Sequence, residues 1–448
     1  MRIQLSDHFT YGRLLRFAFP SIIMMVFTSI YGIVDGLFVS NFVGTIPFAA
    51  INMIMPILMI IGALGFMMGA GGTAIVSKTL GEGDKHHANR YFSTFVYVTA
   101  LAGAIAGILG VIFIRPLSIM LGAEGELLEC CVKYGRIVLL AMPAFMIQNL
   151  FQSFFIVAEK PKLGLCVTLI AGITNMILDA LFIAVFDFGL EGAALATSIS
   201  QLVGGTLPIF YFARKNSSLL SLGRTRFYPK ILLRATVNGS SELMSNISMS
   251  VVTILYNYQL MKLEGENGVA AYGVIMYVSF IFIAMYIGYA VSSAPVVGFH
   301  YGAANKPELK NLLRKSATIT FIGGLSMAAI AFLLSGPLSG IFIGYDERLL
   351  EMTARGMRIF SFSFLFSGFS IFGSSFFTAL SNGPISALIS FLRTLVYQAI
   401  GVLILPIFLG LDGIWCSMLI AEFLAILTTL ICIFAFRRRY GYMESAQK

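Results

Sequence analysis

Four acidic residues stand where acidic residues are costly. Asp35, Asp179, Glu242 and Glu422 each lie inside a long apolar run, as does one basic residue, Arg393. A charge in hydrocarbon costs at least about 2.5–3.5 kcal/mol on insertion scales, so each needs a partner, a water-filled cavity or a proton. At a helical rise of about 1.5 Å per residue, Asp35 and Asp179 fall roughly 8 Å and roughly 10 Å below the same end of their helices. Asn175 is one turn from Asp179 on the same face, and Thr197, on the following helix, lies roughly 10 Å from that end as well. Four polar groups at one depth make a pocket. A buried carboxylate with a second beside it can hold a proton or a cation, never both at once. That exclusion is the chemistry of antiport. The bland reading is a protonated aspartate fixed by Asn and Thr for helix packing.

The other charges read differently. Arg393 and Glu422 each lie about 14 Å from the opposite surface, on consecutive antiparallel helices, so they can meet as a structural ion pair whose rupture would leave a buried charge alone. Glu242 sits near mid-membrane on the seventh span. It either faces a central cavity and attracts cationic cargo, or bonds to Ser241, Ser245 or Asn246.

Long apolar elements must carry these groups. The chain has 448 residues, 58% hydrophobic and only 11% charged, against about 25% charged in soluble proteins. Its apolar runs of about 20 to 27 residues match a hydrocarbon layer of roughly 30 Å. Soluble enzyme folds are excluded. With no water to pair the backbone inside lipid, the spans are helices: 14–40, 46–76, 91–114, 132–158, 163–186, 190–213, 231–260, 269–300, 311–334, 355–380, 384–409 and 411–436. The second span could bend near Pro56. From Arg2 to Lys448, 22 basic residues fall on the side of the N-terminus and seven on the other, with Arg393 between. Both termini are therefore expected to be cytoplasmic.

The sequence repeats itself. GEGDK from Gly81 corresponds to GAANK from Gly302, and GLEG from Gly189 to GLDG from Gly410, both 221 residues apart. Six helices per repeat put the two halves in the membrane in the same sense, around a cavity. The expected fold is an all-α integral membrane protein of twelve transmembrane helices, as two six-helix bundles related by a pseudo-twofold. The bundles are 1–213 and 231–448, joined by a linker over 214–230. The repeat does not copy the chemistry: Thr253 occupies the place of Asp35, and an apolar position near Val402 that of Asp179.

Helix 1 reads FAFPS from Phe17, then VDGLFVSNFVG from Val34. With Asn175, Asp179 and Thr197 spaced by four and eighteen, this resembles the multidrug and toxic compound extrusion (MATE) family along essentially the whole chain. The resemblance implies that Asp35, Asn175, Asp179 and Thr197 form a coupling site for a proton or a sodium ion, and that Pro20 is the kink point of helix 1, where a backbone donor is missing. Glu242 matches an acidic position of members with a sodium site in the second half. Those members add an aspartate on helix 10, and residues 355–380 contain none. The family also implies export of amphipathic, often cationic compounds. Methionine and aromatic faces suit such cargo, and Tyr31, Met53, Gln148, Gln152, Glu242, Tyr256 and Met276 are candidates to line the cavity, although most Phe and Met must serve packing or face lipid.

Other classes are weaker. No GxxxxGK[ST] occurs, so the chain is not expected to hydrolyse ATP or to be an enzyme. His8, His86, His87 and His300 lie in or near loops and read as solvated, which argues against a histidine relay or a metal site. Five cysteines without CxxC spacing give neither a disulfide framework nor a zinc site. No basic domain supports nucleic-acid binding. Expected partners are small molecules and membrane lipid, with the chain a monomer in the plasma (cell inner) membrane and no cofactor beyond the coupling ion. A major facilitator or a lipid-linked sugar flippase is the alternative transporter, and a membrane enzyme or receptor the alternative class. The longest outer loop, around Ser335–Ala354, is too short for a ligand-binding ectodomain.

Overall fold

The computed structural model describes residues 3–343 and 346–442; Arg2 and Lys448 of the basic count lie outside the described residues. The first six spans are α1 (Tyr11–Phe42), α2 (Thr45–Gly81), α3 (Lys85–Met120), the pair α4 (Gly125–Leu140) and α5 (Met142–Val157), α6 (Pro161–Asp179) with a π turn over Ala180–Val185, and α7 (Gly189–Ala213). The second six are α8 (Pro229–Glu264), α9 (Glu266–Gly302), α10 (Lys306–Leu333), the pair α12 (Glu347–Ser361) and α13 (Phe364–Ala379), α14 (Gly383–Phe391) continuing through a π turn over Leu392–Val396 into α15 (Tyr397–Leu409), and α16 (Leu411–Tyr440). A short α11 (Ser335–Ile343) precedes α12, so the expected outer loop is largely helical.

Among the described residues, nine helices are long and apolar enough to cross a membrane, and two bent pairs bring the number to eleven. The twelfth span is α8, whose 36 residues include the polar stretch SSELMSN and are long enough but less apolar. Two spans read as single rods are in fact broken: α4 meets α5 at 56° and α12 meets α13 at 50°. Pro143 in the first turn of α5 explains the first bend, because proline cannot continue the hydrogen-bond ladder of α4. Phe362 and Ser363, at the second, give no comparable signal. Pro56 lies inside an unbroken α2, and Pro20 inside an unbroken α1.

The repeat extends to the backbone. Left-handed residues recur at Gly44 and Gly265, Gly83 and Ala304, and Gly189 and Gly410, each pair 221 apart. Both lobes carry their bent span fourth in order and their π turn in the fifth. The lobes approach one another towards the side of the N-terminus. There a Cβ on Gly71 of α2 would strike the Ala235 carbonyl of α8, and one on Gly239 would strike that of Met67. Gly81 and Gly302 make the same kind of approach to Phe299 and Lys78, between α2 and α9. Small residues let helices pack backbone to backbone.

The segment before α1 crosses this seam. Its Leu5 N–H donates to Glu159, just after α5, at 2.9 Å, and its Phe9 N–H to Glu308 of α10 at 2.9 Å. His8 Nδ1 lies 2.6 Å from Glu308. Leu5 and Phe9 are fully buried in an apolar cluster shared by both lobes. His300 is 2% exposed, edge-on to Phe9, which corrects its reading as a solvated residue. The segment between α7 and α8 is irregular but docked: Ser221 N–H donates to Asn89 Oδ1 at 2.7 Å, and Leu220 is buried.

Candidate coupling site in the first lobe

Asp35 comes from the outer third of α1, and Asp179 is the last residue of α6, where the π turn begins. The two helices can come together because α6 carries Gly172. A Cβ there would lie 2.5 Å from Phe27 Cε1 and 3.3 Å from Tyr31 Cδ1, so both rings of α1 occupy the missing side chain's place. Phe27 and Tyr31 also pack on each other at 5.8 Å. π turns recur at functional sites, and this one widens α6 directly after its acidic residue.

The two carboxyl groups face one another, each the other's acidic neighbour. Oδ1 of Asp35 and both oxygens of Asp179 are buried with no hydrogen-bond partner among the described residues. Asp179 is fully buried and Asn175, one turn earlier, is 2% exposed. Thr197, on α7, is half-buried and lies near Tyr134. Tyr134, on α4, is 1% exposed and close to both aspartates. Sequence reasoning missed it. Tyrosines near helix ends are too common in membrane proteins to stand out, and Tyr134, about two and a half turns into α4, lies roughly one turn deeper than the aspartates. Tyr31 stands one turn before Asp35 and close to it.

A buried polar atom without a partner costs about 1–3 kcal/mol, more when charged. Three such oxygens in one cluster make a set of acceptors suited to a positive group. A proton shared between the carboxyls or a small cation between them would supply it.

The second lobe solves the same problem internally. Arg393, in the π turn before α15, donates Nε to both oxygens of Glu422 at 2.9 and 3.0 Å, while Nη2 reaches Oε1 at 2.8 Å. The fork is bidentate, the strongest form of such a pair. Glu422 is fully buried and Arg393 13% exposed.

The remaining candidates are dispersed. Glu242 is half-buried on α8. Ser245 and Asn246 donate to the backbone carbonyls of Ser241 and Glu242, not to its carboxylate. Gln148 and Gln152, one turn apart on α5, each bury an unpartnered Oε1, as does Gln201 on α7. Met53 packs in the outer cluster of the first lobe, 4.0 Å from Cys131 Sγ, and Met276 packs against the core of the second. Tyr256 is a correction: it is 1% exposed, stacked on Tyr272 at 4.7 Å inside the second lobe, so it does not line an open cavity. Its helix has no sharply apolar face to tell inside from outside.

The MatE family model matches the chain twice, over residues 20–181 and 243–404, once in each lobe and together well over half its length. The chain is 26% identical over 435 residues to "Multidrug export protein MepA" of Staphylococcus saprophyticus, covering 95% of this chain and 94% of that protein. It is 24% identical over 437 residues to the MepA protein of Staphylococcus aureus, with 95% and 94% covered. A solved structure described as the "outward-facing conformation of a multidrug resistance MATE family transporter of the MOP superfamily" superposes with a TM-score of 0.90 at 23% identity, covering 97% of each chain.

Proposed function

Since this chain belongs to the MatE family, we propose that it is a secondary active exporter of amphipathic, often cationic organic compounds, working in antiport with protons or sodium ions by alternating access. The observation that carries the reading is the facing of Asp35 and Asp179, with three unpartnered carboxylate oxygens between them. The names of the staphylococcal relatives support the cargo class.

Asp35, Asp179, Asn175 and Thr197 hold the coupling ion. Tyr134 positions the Thr197 side of the site. When the ion is bound, one of the two negative charges is offset and the remaining one is shared around it, so α1 can seat against α6. When it leaves, two buried negative charges repel across a low-dielectric gap, and that energy either admits a cationic cargo or moves α1. Pro20, near the close approach of Gly288 to Ser21 and Ile22, is the point about which α1 would flex, because no N–H ties it to the preceding turn. Tyr31, Met53, Gln148, Gln152, Glu242 and Met276 contribute to the cargo path, and Arg393 with Glu422 holds the second lobe together. The lobes are 1–213 and 231–448 with the linker 214–230. The chain works as a monomer in the cell membrane with both termini cytoplasmic.

Proteoliposomes loaded with ethidium, with proton and sodium gradients imposed separately, test the proposal. One gradient should drive efflux, and Asp35→Asn should remove that response while the protein still inserts. Normal gradient-driven export by Asp35→Asn excludes Asp35 as the coupling group.

A further inference from the structure

A cleft of about 630 Å³ opens where the lobes meet on the side of the N-terminus, walled by the ends of α2 and α3 from the first lobe and of α8, α9, α14 and α16 from the second. Nothing in the coupling reading uses it. Its charged residues are Lys78, Arg234 and Arg439 against a single carboxylate, Glu82. Glu82 lies 3.6 Å from Lys78, so among the described residues that line the cleft the two arginines have no acidic counterpart. Arg439 lies over the Tyr440 ring at 5.6 Å, a contact that leaves its N–H donors available.

Two further features point to an anion with more than charge. First, α14 begins at the cleft with Gly383 and Pro384 in its lining, and its N-cap, Asn382, makes no side-chain capping bond, so the positive end of its dipole lies there. Second, Asn238 lines the cleft at 4% exposure with its Oδ1 unpartnered among the described residues, an acceptor suited to a ligand hydroxyl. The lip is apolar. Leu233 and Val237, one turn apart on α8, line the cleft and are 66% and 43% exposed. Phosphate would meet the arginines and the helix end, a hydroxyl would meet Asn238, and hydrocarbon would lie along the lip.

We propose that this cleft binds a phosphate-bearing anion, of the kind presented by a hydroxylated phospholipid headgroup, and that the bound anion ties the two lobes together on this side. Basic pockets between transmembrane helices at this level suit lipid headgroups. Because the walls come from both lobes, the site is complete only while the lobes are closed here, so the ligand favours that arrangement by its differential affinity.

The full-length protein in nanodiscs containing phosphatidylglycerol and phosphatidylcholine provides the test, with retained lipid counted by native mass spectrometry. Glycerol 3-phosphate and inorganic phosphate, added to detergent-solubilised protein and read by thermal shift, test a soluble source. Phosphatidylglycerol should be retained over phosphatidylcholine. Arg234→Gln with Arg439→Gln should lower that preference by roughly thirtyfold, and Arg437→Gln, exposed on α16 outside the cleft, should leave it unchanged. If the double variant does not insert, Arg234→Gln alone should lower the preference about fivefold. A thermal shift with the soluble phosphates and no lipid preference would keep the phosphate site and assign it a soluble ligand. Equal retention of both lipids with no shift from either phosphate would overturn the proposal, as would an unchanged preference in the arginine variants.

Discussion

The two lobes share a backbone and differ in their buried charge. Each breaks its fourth span by about fifty degrees, each carries a π turn in its fifth, and each turns at glycines in corresponding places. Yet within its spans the first lobe buries Asp35 and Asp179 facing one another, while the second buries Glu422 in a bidentate arginine fork. Both aspartates and the Arg–Glu pair are expensive to bury, but only the second lobe contains its own compensation. A charge that is permanently compensated has nothing to exchange. The asymmetry fits the proposal that ions turn over in the first lobe while the second lobe is held rigid.

Exchanging the charges is the strongest way to break this contrast. Asp35→Asn or Asp179→Asn should reduce gradient-driven efflux at least about tenfold, with normal membrane insertion, measured in proteoliposomes. Equal loss from Glu242→Gln alone would move turnover towards the second lobe. Breaking the fork should act on stability instead: Glu422→Gln leaves Arg393 buried and unpaired, and should cost about 3–5 kcal/mol in detergent unfolding. The double variant Arg393→Met/Glu422→Leu should recover most of that and keep transport. Failure of transport in a stable double variant would make the pair part of the mechanism. Tyr134→Phe, which removes a hydroxyl beside the site, should change the ion concentration needed for half-maximal efflux several-fold, the size of an effect of about 1 kcal/mol. Finally, Thr253→Asp should give no rescue of Asp35→Asn, since the second lobe lacks the surrounding Asn and Thr.

Rare groups were the most legible in the sequence. Charges in apolar runs can be found by inspection, and a rise per residue places them in depth, which is why Arg393 with Glu422, and Asp35 with Asp179, could be brought together before any coordinates. The repeat was legible because its turn sequences recur at a fixed offset. Faces were not. On α8 polar residues occur on every side, so the direction of Tyr256 depended on the neighbouring helix and was misread. Breaks were half legible: Pro143 marks one bend, but the bend between α12 and α13 is imposed by packing and leaves no residue-level mark. Tyr134 shows the same limit, because it becomes informative only when α4 and α7 are seen to bring it near Thr197.

The glycines where α2 meets α8 and α9 have a consequence for motion. A joint formed from main chain has no rotamers to freeze on closing and none to release on parting, so it can zip and unzip without repacking either surface. It is also intolerant. One methyl at Gly71 or Gly302 would act as a wedge against a carbonyl that cannot swing aside, and would hold α2 away from α8 or α9.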